Sequence, residues 1–220
     1  MTKPGGMMIV DWSLYVITDS GMAGGDELFR IVREALRGGA GVVQYREKRA
    51  STGAMVREAT VLKQICDEAG AVFIVNDRVD VALAVGAHGV HVGQDDMPVA
   101  VARRLMGTNR LVGVTVHNEA ELRRAEADGA DHISIAPCFA TSTKPDHQSP
   151  LGPGGVAALA AKTRLPVVTI GGINASNAKD VAAAGVDGIC VVSAVMMAPD
   201  PHEAARELVE MVRAARGPVR

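Results

Sequence analysis

Short runs of apolar, mostly β-branched residues recur along the chain at intervals of roughly 20–25 residues. They lie at Leu14–Thr18, Val42–Tyr45, Val72–Val75, Gly89–Val92, Leu111–Val116, His132–Ala136, Val167–Ile170 and Ile189–Val192. Several runs are apolar at nearly every position, which is typical of parallel strands that are covered by helices. The pattern therefore predicts eight strands.

Segments with the 3.6-residue periodicity of helices lie between these runs, for example at Glu27–Arg37, Ala54–Ala69, Glu119–Asp128 and Ala178–Ala184. Glycines that end helices with positive φ are expected just before the next strand, at Gly39, Gly70, Gly86, Gly129 and Gly185. Strict alternation over eight units predicts a single (β/α)₈ TIM barrel of the α/β class. Its active site is expected at the C-terminal rim, which is the edge formed by the carboxyl ends of the strands and the loops that follow them.

The length of 220 residues suits one domain with one hydrophobic core. We expect residues 1–10 to form a flexible tail and residues 11–220 to form the barrel. The connection after the sixth strand, Pro137–Gly155, is unusually long and is the expected lid over the active site.

Charge and cysteine content narrow the range of functions. The chain has 23 Lys and Arg against 25 Asp and Glu, and this net charge of −2 gives no reason to expect a nucleic-acid or anionic-membrane partner. The three cysteines lack the spacing of a zinc site or a disulfide framework, which favours a reducing cytoplasm. No apolar run approaches the length of a transmembrane helix. Binding is therefore expected to depend on local polar groups and backbone.

Polar side chains gather where the second predicted strand ends. Period-2 alternation sends Gln44, Arg46 and Lys48 to one side, while Tyr45 and Glu47 face the other. One amide and two cations that project together suit several anionic oxygens. The alternative interpretation is a solvated charge cluster.

Two acids at strand ends are candidate metal ligands. Asp77 follows the third strand beside Asn76, and Asp96 follows the fourth strand near Gln94. Magnesium is commonly held by one or two protein carboxylates, while water and substrate phosphate complete its octahedron. In the alternative, Asp77 is the N-cap of the next helix, and Asp96 and its neighbour Asp95 are first-turn acids of the helix after that.

A second group of phosphate-binding candidates follows the seventh and eighth strands. Gly171 and Gly172, together with Val192 and Ser193, occupy the position where many such barrels bind phosphate through backbone N–H groups. Ser193, like Ser176, could equally be a helix cap.

The remaining histidines and the loop cysteine are weaker candidates. His88 and His91 bracket the fourth strand without ligand spacing and are expected to be structural. His117, at the C-terminal rim, is a weak site candidate. Cys138 has no obvious base partner, so a nucleophilic role is not expected.

Six motifs occur in the order found in one known family. They are YVITD at 15–19, QYREK at 44–48, VNDR at 75–78, GVHVGQDD at 89–96, TSTK at 141–144 and GGI at 171–173. From about Leu14 to its last helix the chain resembles the thiamin phosphate synthases. The resemblance implies a transferase that condenses 4-amino-2-methyl-5-hydroxymethylpyrimidine diphosphate with 4-methyl-5-(2-hydroxyethyl)thiazole phosphate, giving thiamin phosphate and pyrophosphate. It also implies Mg²⁺ as the cofactor and a homo-oligomer.

The resemblance assigns roles to the matching positions. It implies that the pyrimidine diphosphate is bound by Gln44, Arg46, Lys48, Asn76, Thr115 and Lys144, among which Arg46, Lys48 and Lys144 are the implied catalytic residues. Mg²⁺ would be bound by Asp77 and Asp96. The thiazole phosphate would be bound by Thr141, Thr143, Gly172, Val192 and Ser193. Thr115 stands where the family commonly has Ser, and Tyr45 where it commonly has Leu, and neither departure removes a charge.

The implied chemistry needs a stabilised leaving group rather than a general base. A 4-aminopyrimidine can support positive charge on its methylene as the C–O bond breaks, while the cations and Mg²⁺ neutralise the departing diphosphate. The thiazole nitrogen is already nucleophilic, so holding it in line supplies the rest. We therefore expect a dissociative substitution.

Three alternatives stay open. A thiazole tautomerase, which is an isomerase on the same barrel, would share the first strand and the Gly-Gly turn, but it would not be expected to keep Lys48, Asp77, Asp96 and Lys144. The second alternative is a non-catalytic barrel that binds a thiamin precursor. The third, a generic sugar-phosphate enzyme, would need an acid–base pair that the sequence does not show.

Overall fold

The structure is a computed structural model that describes residues 9–141 and 149–216. Eight parallel strands close into a barrel in sequence order. They are β1 Leu14–Ile17, β2 Val42–Tyr45, β3 Val72–Asn76, β4 Gly89–Val92, β5 Leu111–Val116, β6 His132–Ile135, β7 Val167–Thr169 and β8 Gly188–Val191. The predicted barrel is confirmed, and each strand bound lies within one residue of its predicted position.

Helices connect the strands on the outside of the barrel. They are α1 Gly25–Arg37, α2 Thr52–Glu68, α3 Val79–Ala84, α4 Val99–Met106, α5 Glu119–Ala127, α6 Gly152–Ala160, α7 Ala178–Ala182, α8 Ser193–Met196 and α9 Pro201–Arg216. The last helix, α9, packs against both α1 and α7 and so closes the outer layer. No helix in the described part of the chain is long and apolar enough to span a membrane.

Glycines with positive φ end several helices, as the sequence predicts. Gly39, Gly70, Gly86 and Gly129 directly follow the caps of α1, α2, α3 and α5, and Gly185 lies one residue further beyond α7. All five precede a strand, at the end of the barrel opposite the C-terminal rim.

Two apolar clusters divide the core. The larger one fills the space between the strands and the helices and contains outward-facing strand residues such as Val43 and Phe73. The smaller one fills the barrel interior and consists of Trp12, Tyr15, Ile17, Val42, Val72, Ile74, Val168 and Cys190. Above it the interior becomes polar, because the inward positions next along β2 and β4 are Gln44 and His91, both of which are buried. This change from apolar to polar marks the floor of the candidate site.

Candidate active site

One cavity of about 420 Å³ opens among the carboxyl ends of the strands. This volume suits small-molecule ligands. Eleven of the residues that the resemblance implicates line it: Gln44, Arg46, Lys48, Asn76, Asp77, Asp96, Thr115, Thr141, Gly172, Val192 and Ser193. The other two, Thr143 and Lys144, lie outside the described residues. The structure therefore brings together every described residue that the resemblance implicates.

The residues at the end of β1 hold the polar side chains of β2 in place. The Arg46 backbone N–H donates to Thr18 Oγ1 at 3.0 Å, and Arg46 Nη1 lies 2.9 Å from Asp19 Oδ2. Gln44 Nε2 donates to the Tyr15 hydroxyl at 2.7 Å. Because Gln44 is only 2% exposed and Arg46 is fixed by two contacts, the alternative of a solvated charge cluster fails for both.

The outward side of β2 is separate from the cavity. Tyr45 is buried in the core between strands and helices, and its hydroxyl donates to Glu58 Oε2 on α2 at 2.8 Å. The predicted alternation of side chains along this strand is confirmed.

Asp77 and Asp96, which we call the acidic pair, lie on the cavity wall below Lys48. Lys48 Nζ bonds to Asp77 Oδ2, and the Asp77 backbone N–H donates to the His91 carbonyl at 2.8 Å. Burial raises the pKa of the Asp77 carboxyl, and the hydrogen-bonded Asp96 carboxyl raises it further, whereas Lys48 lowers it. Two carboxyls that disfavour each other's ionisation are suited to share a cation.

The alternative roles of Asp77 as a helix N-cap and of Asp95 and Asp96 as first-turn acids are wrong. The N-cap residue of α3 is Arg78, and no side chain caps that helix. The first turn of α4, which begins at Val99, contains no acid, and Asp96 Oδ2 instead accepts from the Gly93 N–H at 2.8 Å. Asp77 and Asp96 both line the cavity instead of capping a helix.

The donor set of the acidic pair fits a magnesium ion and fits a zinc ion poorly. Among the described residues there is no group of three or more His, Cys, Asp and Glu side chains arranged to hold a metal. A site of two carboxylates leaves several coordination positions for water and for ligand oxygens, which is how Mg²⁺ is usually bound.

The opposite side of the cavity is formed by backbone and small side chains. Gly171 and Gly172, the glycine turn, follow β7 with φ values of 115° and 63°. A Cβ atom on Gly172 would lie 2.7 Å from the Ala140 carbonyl oxygen, so the loop after β6 also requires glycine here. Ser193 is the first residue of α8 and follows Val192, which is its N-cap.

The structure also settles the weaker candidates. His117 Nδ1 lies 2.9 Å from Glu121 Oε2 and does not line the cavity. His88 is structural as predicted, since its Nδ1 accepts from the Phe73 N–H at 2.9 Å. Cys138 is buried outside the cavity lining, and burial raises the pKa of its thiol to about 11. Ser176 caps no helix, because its hydroxyl donates to Asn174 Oδ1 at 2.6 Å.

Sequence reasoning did not assign several residues of the cavity lining to the site, among them Tyr15, His91 and Asn174. Tyr15 and His91 lie on its floor, and Asn174 lies beside the glycine turn. The alternation of side chains along β1 and β4 is the available signal for the first two, because both residues take inward positions. Asn174 follows an irregular turn, where no periodicity applies.

Comparisons with known proteins agree with one another. The model of the family described as thiamine monophosphate synthase matches residues 14–195. A thiamine-phosphate synthase of Chloroflexus aurantiacus is 55% identical over 204 residues, covering 93% of this chain and 94% of that protein. One of Moorella thermoacetica is 46% identical over 206 residues, covering 94% and 98%.

A solved structure extends the agreement to the fold. The thiamine phosphate pyrophosphorylase from Pyrococcus furiosus superposes with a TM-score of 0.86 at 41% identity, covering 94% of this chain and 98% of that one. With the family model matching from the first strand to the short helix after the eighth, the chain belongs to the thiamine monophosphate synthase family.

Proposed function

We propose that this barrel joins 4-amino-2-methyl-5-hydroxymethylpyrimidine diphosphate to 4-methyl-5-(2-hydroxyethyl)thiazole phosphate, releasing pyrophosphate and forming thiamin phosphate, with Mg²⁺ as cofactor. The observation that supports this best is the asymmetry of one cavity. Cations and paired carboxylates line one side of it, and a glycine turn with small polar residues lines the other. Two different phosphate groups can therefore bind in one space.

On the charged side, the diphosphate binds between Arg46 and Lys48. The guanidinium of Arg46 is planar and presents a fork of donors, whereas the Lys48 ammonium acts as a compact charge. Asp19 holds the Arg46 guanidinium by the ion pair at 2.9 Å, so its direction is set before the ligand arrives. Gln44 and Asn76 line the same side and bind the pyrimidine diphosphate. Lys144, which lies outside the described residues, is the third proposed cation.

The acidic pair would hold the Mg²⁺ ion. When bound there, Mg²⁺ supplies positive charge that stabilises pyrophosphate as a leaving group. Asp77 and Asp96 provide the two carboxylates that fit it, and Lys48 stays beside Asp77 to contact the same diphosphate.

On the other side, the thiazole phosphate binds at the glycine turn. Gly172 and Val192 offer backbone groups, and Thr141 and Ser193 offer hydroxyl groups that can donate to phosphate oxygens. Thr143 is assigned to the same phosphate and lies outside the described residues. Binding at this end orients the thiazole nitrogen toward the pyrimidine methylene.

The residues act by positioning and by charge. As the C–O bond of the pyrimidine diphosphate breaks, Arg46 and Lys48 neutralise the negative charge that develops on the departing oxygens. The 4-aminopyrimidine supports the positive charge on its methylene, and the nitrogen of the bound thiazole attacks it. No general base is required, in keeping with the location of His117 and Cys138 outside the cavity lining.

The two rival functions are less well supported. An isomerase acting on a thiazole phosphate needs no carboxylate pair beside a lysine, and a non-catalytic binding barrel needs no cations that neutralise a departing diphosphate. The domain limits of 1–10 and 11–220, the homo-oligomer and the cytoplasmic location stay predictions.

The test is direct. Purified protein is mixed with both substrates at several Mg²⁺ concentrations, and thiamin phosphate and pyrophosphate are measured in parallel. Equal amounts of both products, dependent on Mg²⁺, would support the proposal. Binding without product, or conversion of one thiazole tautomer into another alone, would overturn it.

A further inference from the structure

Two histidines meet in the barrel interior directly beneath the cavity. His132, on β6, is fully buried, and its Nε2 lies 3.4 Å from Nδ1 of His91 on β4. The other nitrogen of His91, Nε2, lies 2.9 Å from Thr115 Oγ1 on β5. We call these three residues the imidazole chain. It leads from the dry interior to a hydroxyl that lines the cavity.

Gly113 makes this chain possible. It pairs in register with His91 on one side and with His132 on the other, and it lies under both rings. A Cβ atom at this position would lie 2.1 Å from His132 Cε1 and 2.6 Å from His91 Nδ1. Because Gly113 of β5 has no side chain, the two imidazoles can approach each other.

The surroundings of His132 fix its protonation. Burial, and secondly the nearby His91, hold the pKa of His132 well below its usual range, so the ring is neutral. Its Nδ1 has no hydrogen-bond partner among the described residues, and its ring packs against Trp12 with centroids 4.6 Å apart. A neutral imidazole has one N–H and one lone pair, so one of them must remain unpaired at Nδ1.

Only one arrangement of hydrogens leaves every N–H of the chain paired. With its proton on Nε2, His132 donates to His91 Nδ1 and leaves only a lone pair at its own Nδ1. The opposite arrangement would bury an unpaired N–H, which is the rarer and costlier defect. His91 then has its own proton on Nε2 and donates to Thr115 Oγ1. The hydroxyl hydrogen of Thr115 is thereby left free to point into the cavity.

We propose that His132, acting through His91, fixes Thr115 as a hydrogen-bond donor to an anionic oxygen of the pyrimidine diphosphate. His132 is then a positioning residue that acts through His91, and Thr115 is the residue of the chain that donates to the diphosphate. The inference rests on the proposed function, since it uses Thr115 as part of the pyrimidine diphosphate site. It also explains why Thr115 can stand where the family commonly has Ser, because His91 sets the direction of its hydroxyl group.

The first test reads the tautomers without any substrate. In protein labelled with ¹⁵N-histidine, long-range proton–nitrogen correlation spectra distinguish the protonated nitrogen of each ring. We expect both His91 and His132 to be neutral, with the proton on Nε2. A proton on Nδ1 of either ring would overturn the inference, whether or not the protein makes thiamin phosphate.

The second test uses steady-state kinetics. His132→Phe keeps a ring but removes the donor, and we expect KM for the pyrimidine diphosphate to rise about 5- to 10-fold, the equivalent of one weakened hydrogen bond. KM for the thiazole phosphate should stay within about two-fold. His117→Phe is the matched control, because His117 does not line the cavity, and it should change neither constant. Equal changes in both KM values for His132→Phe would indicate general damage and overturn the inference.

A double variant distinguishes an effect of His132 on the Thr115 hydroxyl, through the imidazole chain, from an effect of His132 on packing. In a Thr115→Val background, which lacks the hydroxyl, adding His132→Phe should have less than about a two-fold further effect on KM for the pyrimidine diphosphate. In a Thr115→Ser background the full effect should persist. If the effect is equal in the Val and Ser backgrounds, His132 does not act through the hydroxyl. Should His132→Phe fail to fold, the tautomer measurement on the unaltered protein decides the question.

Discussion

The two sides of the cavity are built from different parts of the chain. On the β2–β4 side, side chains contribute charge: Arg46 pairs with Asp19, and Lys48 bonds to Asp77 of the acidic pair. On the β7–β8 side, the glycine turn contributes backbone, with φ values that most residues avoid. The charged side thus depends on the charged side chains that are present. The other side depends on glycines, which lack a side chain.

This difference matters for how each side responds to change. A charged side chain can be neutralised without altering the backbone, so its loss should appear in ligand binding and turnover. A glycine with positive φ cannot be replaced without strain, so its loss should appear in both binding and stability. Matched control variants can separate the two kinds of effect.

The largest effect is expected at the acidic pair. Asp77→Asn or Asp96→Asn should lower kcat at least about 100-fold at any Mg²⁺ concentration, because one of two metal-binding carboxylates is lost. Binding of the thiazole phosphate, measured by calorimetry, should be retained. Asn tolerates the positive φ of 58° at Asp77, so the backbone should be kept.

The control for these variants is Asp80→Asn. Asp80 is also an aspartate just after β3, but it is exposed and pairs with Arg78 outside the cavity lining. Its turnover should match that of the unaltered protein. Unchanged turnover of Asp77→Asn at both low and high Mg²⁺ would contradict the metal assignment.

The next effect concerns the glycine turn. Gly172→Ala should raise KM for the thiazole phosphate about 10-fold or more, because strain at φ 63° and the contact with the Ala140 carbonyl displace the turn. Gly185→Ala is the control, since it has φ 80° but open space around its Cβ position. It should lower the free energy of unfolding by about 1 kcal/mol and leave both KM values unchanged. If both variants shift KM equally, the turn has no local role in binding.

A smaller effect is expected where β1 holds Arg46. Asp19→Asn removes the charge that orients the guanidinium, and KM for the pyrimidine diphosphate should rise about 3- to 10-fold. Glu58→Gln is the matched change on the outward side of β2, where Glu58 accepts from Tyr45. Steady-state kinetics of both variants should show the rise in KM for the pyrimidine diphosphate only for Asp19→Asn. An effect of the same size for Glu58→Gln would mean that β2 as a whole, rather than the ion pair, had moved.

The smallest effect is on stability. A buried carboxyl whose folded pKa lies above its unfolded value destabilises the fold once it is ionised. The free energy of unfolding therefore begins to fall as pH rises through the unfolded pKa, and the decrease is complete above the folded pKa. Since the pKa of Asp77 is raised in this way, Asp77→Asn should increase Tm by about 1–3 °C at pH 7 without Mg²⁺.

Binding of Mg²⁺ by the acidic pair also predicts how the metal changes Tm. Mg²⁺ should raise Tm of the unaltered protein, because a ligand that binds only the folded state stabilises it, and it should not raise Tm of Asp77→Asn. Calorimetric scans with and without EDTA measure both. A Tm of Asp77→Asn below that of the unaltered protein in EDTA would show that the Lys48 pair outweighs the cost of burial.

Much of the site was predictable because it lies where strands end. The apolar runs located each strand, and the polar and glycine residues that follow them, such as Arg46, Asp77 and Gly172, converge once the strands are parallel. Local propensity was a poor guide at the same places. It left helix-cap roles open for Asp77 and Ser176, and neither caps a helix, because the loops bring other partners within reach.

The sequence by itself determined the eight strands, their order and the side of β2 that carries polar groups, because these follow from periodicities of two and 3.6 residues. Only the tertiary structure decided which inward side chains meet. His91 and His132 are 41 residues apart in the chain and become neighbours because barrel closure sets β4, β5 and β6 in one register, with Gly113 between them. Contacts of this kind depend on closure and register, and no local pattern along the chain encodes them.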